Sequence, residues 1–224
     1  MKAFFVTGAG TDVGKTFIAA ALCRWARKTG LSVAALKPVV SGFDPENVTA
    51  SDPAFLLAAL GRSATAAEIA AIAPWRFRAP LSPDMAAARE GRAIDFPALI
   101  DFCEGRVRGS EDVLLIEGVG GAMVPLTATH TVLDWMAALG LPAILVSGSY
   151  LGCLSHTLTA ASALRTAGIG IAAVVVSESE ESPVPISETV TTMTRFLGAI
   201  PVVAMTRGGD AAGEAALARA LGLG

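Results

Sequence analysis

Charge is scarce in this chain. Asp, Glu, Lys and Arg make up 17% of its 224 residues, against about 25% in ordinary globular proteins. With 53% apolar residues, the composition excludes an intrinsically disordered chain, which needs low hydrophobicity and high charge. It also points to a surface partly covered by a partner, most simply a second copy. The formal net charge is only −3, so no basic field invites nucleic acid or an anionic membrane. Aromatic residues are 6%, with Tyr150 the one tyrosine, too few to build stacking platforms for single strands. Cys23, Cys103 and Cys153 lie far apart and form no C-x-x-C pair, which argues against a zinc site and a disulfide framework. They are expected to be small core hydrophobes in a reducing compartment. The first ten residues have one lysine and a short apolar run before glycines, unlike a signal peptide. The stretch from Trp135 to Leu164 has no charge, but Gly140, Pro142, Gly148 and Gly152 break it. A strand followed by a helix fits it better than a membrane span. The expectation is a soluble cytoplasmic protein.

What is present is a repeated alternation. Short apolar runs at Ala3–Thr7, Val33–Lys37, Val113–Glu117, Ala143–Ser147, Ile171–Ser177 and Ala199–Val203 predict parallel strands covered on both faces. Pro201 cannot donate to a ladder, so its strand is expected at a sheet edge. Helices are predicted over Thr16–Thr29, Asp52–Leu60, Pro83–Glu90, Phe96–Val107, Thr131–Leu139, Leu154–Ala167 and Ile186–Leu197. The first carries Ile18, Leu22 and Trp25 on one face and stops at Gly30. This order predicts an α/β fold, a mostly parallel sheet flanked by helices, in a single domain over residues 1–224. Residues 42–110 have no convincing strand and read as a helical insertion. Glu178, Glu180 and Glu181, followed by Pro183 and Pro185, read as a solvated loop.

Three motifs carry chemistry. Gly8-Ala9-Gly10-Thr11-Asp12-Val13-Gly14-Lys15-Thr16 follows the first strand and opens the first helix, where a phosphate-binding loop must sit. Glycines let backbone N–H groups face a polyphosphate, and the helix N-terminus adds partial positive charge. Lys15 is placed to reach the β and γ phosphates, and the Thr16 hydroxyl to bind Mg²⁺. The strict motif wants Gly at position 9, which is Ala here. The second motif, Lys37-Pro38-Val39-Val40-Ser41-Gly42, ends the second strand. Ligands of open α/β sheets bind at carboxyl ends of strands, so Lys37 should face the same crevice as Lys15. The third, Glu117-Gly118-Val119-Gly120-Gly121, ends an apolar strand in an acid, the usual place for a magnesium-binding carboxylate. Asp52 is a second candidate acid, or a helix cap.

The glycine segment also resembles the start of short-chain dehydrogenases. Those need a Tyr with a Lys four residues later, and Leu154 follows Tyr150 at that spacing. The acid that would hold a ribose is missing too, because the second strand ends in Lys37.

Together, VTGAGTDVGKT, LKPVVSG, the Ser51-Asp52 pair, IEGVGG followed by Pro125-Leu126, and SYLGCLSHTLTA resemble the dethiobiotin synthetase family over most of the chain. The resemblance implies a P-loop α/β homodimer. It implies carboxylation of 7,8-diaminononanoate with CO₂ or bicarbonate, phosphorylation of the carbamate by MgATP, and closure of a ureido ring. By the same resemblance, Thr11, Lys15 and Lys37 surround the carbamate and the transferring phosphate. Thr16, Asp52 and Glu117 match the magnesium ligands. Asp12, Val13, Gly14, Phe17, Gly118, Val119, Gly120 and Ser177 fall in ATP-binding segments, and Ser41 matches a substrate contact. Gly152, Cys153, Leu154 and Ser155 match a helix start that holds the substrate carboxylate from the partner subunit; the family pattern carries Asn where this chain has Ser155. It also carries Asn where this chain has Ser177, so base reading is expected to be weak. Backbone groups at Pro201, Val202 and Val203 are expected to take part of the adenine contact. His130 and His156 read as local hydrogen-bonders. The alternative is a P-loop switch of the partition and septum-site type, acting on a protein partner. Those carry a Lys at the start of the loop, and residues 8–13 contain none.

Overall fold

A computed structural model describes residues 1–208 and 211–224. In chain order its strands are β1 (Lys2–Gly8), β2 (Val33–Leu36), β3 (Val39–Ser41), β4 (Trp75–Phe77), β5 (Val113–Glu117), β6 (Ala143–Ser147), β7 (Ile171–Ser177) and β8 (Val202–Met205). Six of them form one parallel sheet in the order β2-β5-β1-β6-β7-β8, and β3 and β4 form a separate parallel pair. Around them lie α1 (Lys15–Lys28), α2 (Asp52–Ala59), α3 (Ala66–Ile72), α4 (Pro83–Arg89), α5 (Phe96–Val107), α6 (Val132–Leu139), α7 (Cys153–Thr166), α8 (Ile186–Leu197) and α9 (Ala211–Ala220). All residues of β5 and β6 are buried, as the unbroken apolar runs require of strands covered on both faces. Trp135 of α6 seals one face by meeting Phe5 edge-on, 4.8 Å between ring centroids. Cys23 and Cys103 are buried, and burial pushes both thiols up to about 12. They pack as apolar groups. Among the described residues no helix is long and apolar enough to cross a membrane.

The order of strands positions the site. The chain runs from β1 to β2 on one side and from β6 to β8 on the other, with β1 between β5 and β6. The connections therefore diverge at the carboxyl end of β1, which opens a crevice there.

Three expectations need correction. Residues 42–110 are not wholly helical, because Trp75–Phe77 pairs with Val39–Ser41. A three-residue strand with Arg76 at its centre has too short an apolar run to register in sequence. The second strand leaves the main sheet at Leu36 instead of continuing through Lys37. Pro38 has no N–H for the ladder, and Lys37 N–H donates to Ile72 O at 3.0 Å instead. The last strand starts three residues later than predicted. Pro201 stands just before it, with its carbonyl accepting from Val174 N–H at 2.8 Å. The strand does lie at the sheet edge. Helices α3 and α9, short and Ala-rich, were not anticipated.

Leu145 is fully buried at the centre of the sheet. Leu145→Ala is expected to destabilise the fold by about 2–5 kcal/mol, read as a lower midpoint in urea unfolding with an unchanged slope.

Candidate functional site

The ends of β1, β2 and β5 lead into residues that line the crevice. After Gly8 the chain turns sharply, and Ala9 N–H donates to Val146 O at 2.8 Å. A Cβ on Gly8 would stand 2.8 Å from the Gly10 carbonyl, so the turn excludes any larger residue. Asp12 and Gly14 adopt left-handed backbone, at φ 56° and 92°. Gly14 caps α1 without a side-chain hydrogen bond, so the first-turn N–H groups keep no side-chain acceptor and face the loop. The Lys15 ammonium folds back over this loop and donates to Gly10 O at 3.0 Å.

Lys37 lies where β2 gives way to β3. It is 3% exposed, and Glu117, at the end of β5, is 1% exposed. The Lys37 ammonium donates to Glu117 Oε1 at 2.6 Å and to Gly118 O at 2.8 Å, and pairs with Asp52 Oδ2 at 3.3 Å. The Thr16 hydroxyl donates to the same Glu117 Oε1 at 2.6 Å. Burial alone would strip the Lys37 charge, but Glu117 and then Asp52 outweigh it and hold the ammonium above its usual range. Among the described residues Lys15 has no such close acid. Burial first and the Lys37 charge second lower it to about 8, although Glu117, Asp52 and Asp12 pull the other way.

These side chains open onto a cleft of about 780 Å³. It is lined by the predicted Thr11, Asp12, Gly14, Lys15, Thr16, Phe17, Lys37, Ser41, Asp52, Glu117, Val119 and Gly120. The Ser41 hydroxyl is buried with no hydrogen-bond partner, so it is available to a bound molecule. Sequence reasoning missed the opposite wall, Pro80, Leu81, Ser82 and Pro83. That segment follows β4, and without the strand nothing marked its loop as facing the crevice.

A second pocket of about 340 Å³ shares Asp12, Gly14 and Phe17 with the first. It adds the predicted Val13 and Ser177, together with Glu178, Ser179, Glu180, Arg207 and Gly208. The acidic loop is thus a wall of this pocket: Glu178 Oε2 accepts from Arg207 N–H at 2.9 Å and Glu180 pairs with the Arg207 guanidinium. The Ser177 hydroxyl packs against Gly14, within 2.6 Å of where a Cβ there would stand. Pro201, Val202 and Val203 reach neither pocket. They sit at the amino end of β8, and it is the segment after Met205 that reaches this pocket. Gly152, Cys153, Leu154 and Ser155 begin α7 and also line neither pocket.

The donor set suits a hard cation. Thr16, Asp52 and Glu117 offer oxygen only, and Glu117 Oε2 is buried with no hydrogen-bond partner. Among the described residues no three His, Cys, Asp or Glu are placed to hold a metal by themselves. Phosphate oxygens and water would have to complete an octahedral shell for Mg²⁺.

A family profile described as an AAA domain matches residues 2–207. The chain is 52% identical over 202 residues to the ATP-dependent dethiobiotin synthetase BioD of Acidiphilium cryptum (strain JF-5), spanning 90% of this chain and 91% of that protein. It is 47% identical over 223 residues to the ATP-dependent dethiobiotin synthetase BioD of Phenylobacterium zucineum (strain HLK1), spanning 99% and 95%. The chain belongs to the ATP-dependent dethiobiotin synthetase family. Among solved structures, the septum site-determining protein MinD complexed with Mg-ADP, from Pyrococcus horikoshii OT3, aligns with a TM-score of 0.52 at 17% identity, covering 97% of this chain and 86% of that one. Chloroplast FtsY from Physcomitrella patens aligns with a TM-score of 0.55, also at 17%, covering 98% and 65%. Those two share the fold alone. The family, with its close relatives, favours a ligase over a switch that acts on a protein.

If Lys15 holds phosphate, it can do so only as an ammonium. Its value near 8 predicts that the free protein binds nucleotide fully below that pH and loses affinity above it, by roughly tenfold per pH unit. ADP titration calorimetry between pH 6.5 and 9.5 checks this; a flat affinity across that range refutes it.

Proposed function

We propose that this chain converts 7,8-diaminononanoate, CO₂ and ATP into dethiobiotin, ADP and phosphate. The observation that carries the proposal is the convergence of Lys15 and Lys37 with Thr16, Asp52 and Glu117 on one cleft beside a phosphate loop. Carbamate and the γ-phosphoryl group are both anionic, so bringing them together needs fixed positive charge and little covalent chemistry. Lys15 holds the β and γ phosphates, and Thr11 lies at the loop where they meet the carbamate. Lys37 faces the transferring group and stabilises charge developing on its oxygens. Mg²⁺, held by Thr16, Asp52 and Glu117, would neutralise phosphate charge when bound. The unpartnered Ser41 hydroxyl orients a substrate amine. The carbamate oxygen displaces ADP; the second amine then attacks the carbonyl carbon, and phosphate leaves as the ring closes. The start of α7, Gly152 to Ser155, serves a substrate carboxylate across a homodimer, since within one chain it lines neither pocket. The setting we propose is the cytoplasm.

Phosphate release from MgATP and bicarbonate should depend on added 7,8-diaminononanoate. Lys37→Ala should abolish that release while ADP still binds, because losing one such donor raises the barrier by about 2.7–4 kcal/mol. Release without the diamine, or near-normal turnover by Lys37→Ala, would contradict the assignment.

The base pocket yields a second expectation. The Ser177 hydroxyl lies against Gly14, and Glu178 and Glu180 are engaged by Arg207. No side-chain amide donates and accepts together at the Ser177 position. A single lost hydrogen bond is worth about 0.5–1.5 kcal/mol. CTP or GTP should therefore support the reaction within roughly tenfold of ATP in kcat/KM. A preference for ATP above about a hundredfold would show that backbone groups read the base unaided.

A further inference from the structure

Lys37 has three N–H donors, and all three are committed at the acidic corner of the cleft. One goes to Glu117 Oε1 at 2.6 Å, one to Gly118 O at 2.8 Å and one toward Asp52 Oδ2 at 3.3 Å. Thr16 joins the same Glu117 oxygen at 2.6 Å. The oxygens suited to a divalent cation are therefore the oxygens that hold this ammonium. A magnesium ion needs ligands at about 2.0–2.1 Å in a near-octahedral shell. A cation seated that close to Glu117 Oε1 and Asp52 would face an ammonium bound to the same two carboxylates, and like charges at such range repel strongly. Glu117 Oε2, buried and without a hydrogen-bond partner, is where the incoming ion finds an unclaimed lone pair.

We propose that Lys37 and the divalent cation are alternative occupants of the Glu117–Asp52 carboxylate pair, so that loading of the metal–nucleotide frees the Lys37 ammonium to turn into the cleft. The proposal rests on the metal assignment made above. Its physical content is an exchange of partners. Lys37 loses its contacts with Glu117 and Asp52 and keeps Gly118 O as a pivot, and its flexible four-carbon stem carries the charge toward the transferring group. Glu117 and Asp52 thereby act as positioning residues for Lys37. The device also imposes an order. Before the nucleotide arrives, the Lys37 charge is neutralised by two acids and gives little hold to an anionic substrate. Afterwards the same charge faces the cleft.

The test measures metal, not turnover. Mn²⁺ binding in the presence of ADP is followed by loss of the free-ion electron paramagnetic resonance signal, in the wild type and in Lys37→Met. If the ammonium competes, removing it tightens Mn²⁺ binding at least tenfold, and Glu117→Gln in the Lys37→Met background abolishes the gain. Equal or weaker binding by Lys37→Met overturns the proposal, as does absence of bound Mn²⁺ in both proteins. A measurement on the wild type guards against a misfolded variant. The lysines are Lys2, Lys15, Lys28 and Lys37, few enough to resolve individually by ¹³C labelling at Cε. The Lys37 signal, assigned by its loss in Lys37→Met, should shift when Mg²⁺ is added to the ADP-loaded protein, while those of Lys2 and Lys28 stay. A Lys37 signal indifferent to Mg²⁺ overturns the exchange. Diamine-dependent phosphate release in the same preparation shows that the proposed reaction stands even if the exchange fails.

Discussion

Two lysines line one low-dielectric crevice, and the acids around them decide how firmly each holds its proton. Burial works against both ammoniums. Lys37 survives it because Glu117 touches it and Asp52 closes the other side. Lys15 has no carboxylate partner within hydrogen-bonding reach among the described residues, and burial with the Lys37 charge lowers it to about 8. The cleft is thus electrostatically divided. One cation is clamped by carboxylates, and the other donates to the Gly10 carbonyl. In the reading we propose, a polyphosphate with its metal would supply what each side lacks: negative charge for Lys15 and positive charge for the carboxylates.

That arrangement depends on a backbone detail. The second strand cannot continue past Lys37, because Pro38 has no N–H to offer the sheet. The chain steps out of the main sheet there and pairs with Trp75–Phe77 instead. The step aims the Lys37 side chain at the end of β5 and lays Ser41 along the cleft. It also brings the Pro80–Pro83 segment across as the opposite wall. One proline therefore connects the charge balance to the shape of the cleft.

The fold alone does not specify this chemistry. The septum-site and FtsY structures share the architecture at 17% identity, and function resides in the side chains grafted on it. What sets this chain among the dethiobiotin synthetases is the extent of its identity to those relatives.

The sequence by itself determined the alternating architecture, the phosphate loop and the charged residues at or just past the strand ends. These are written locally: unbroken apolar runs, glycines at a turn, a lysine just past a strand or an acid at its last position. Residue identity and spacing suffice for them because each rests on contacts within a few positions along the chain. Only the tertiary structure decided which charges meet. Lys37 and Glu117 are eighty residues apart in sequence, and no local pattern encodes their contact. The same holds for the short β3–β4 pair, whose partners are short and non-local, and for the end of β8. There Pro201 stands before the strand, which starts three residues later than expected, and Arg207 and Gly208 line the smaller pocket in place of Pro201–Val203. Parallel pairing joins distant segments, so its register and its ends are settled by the whole sheet.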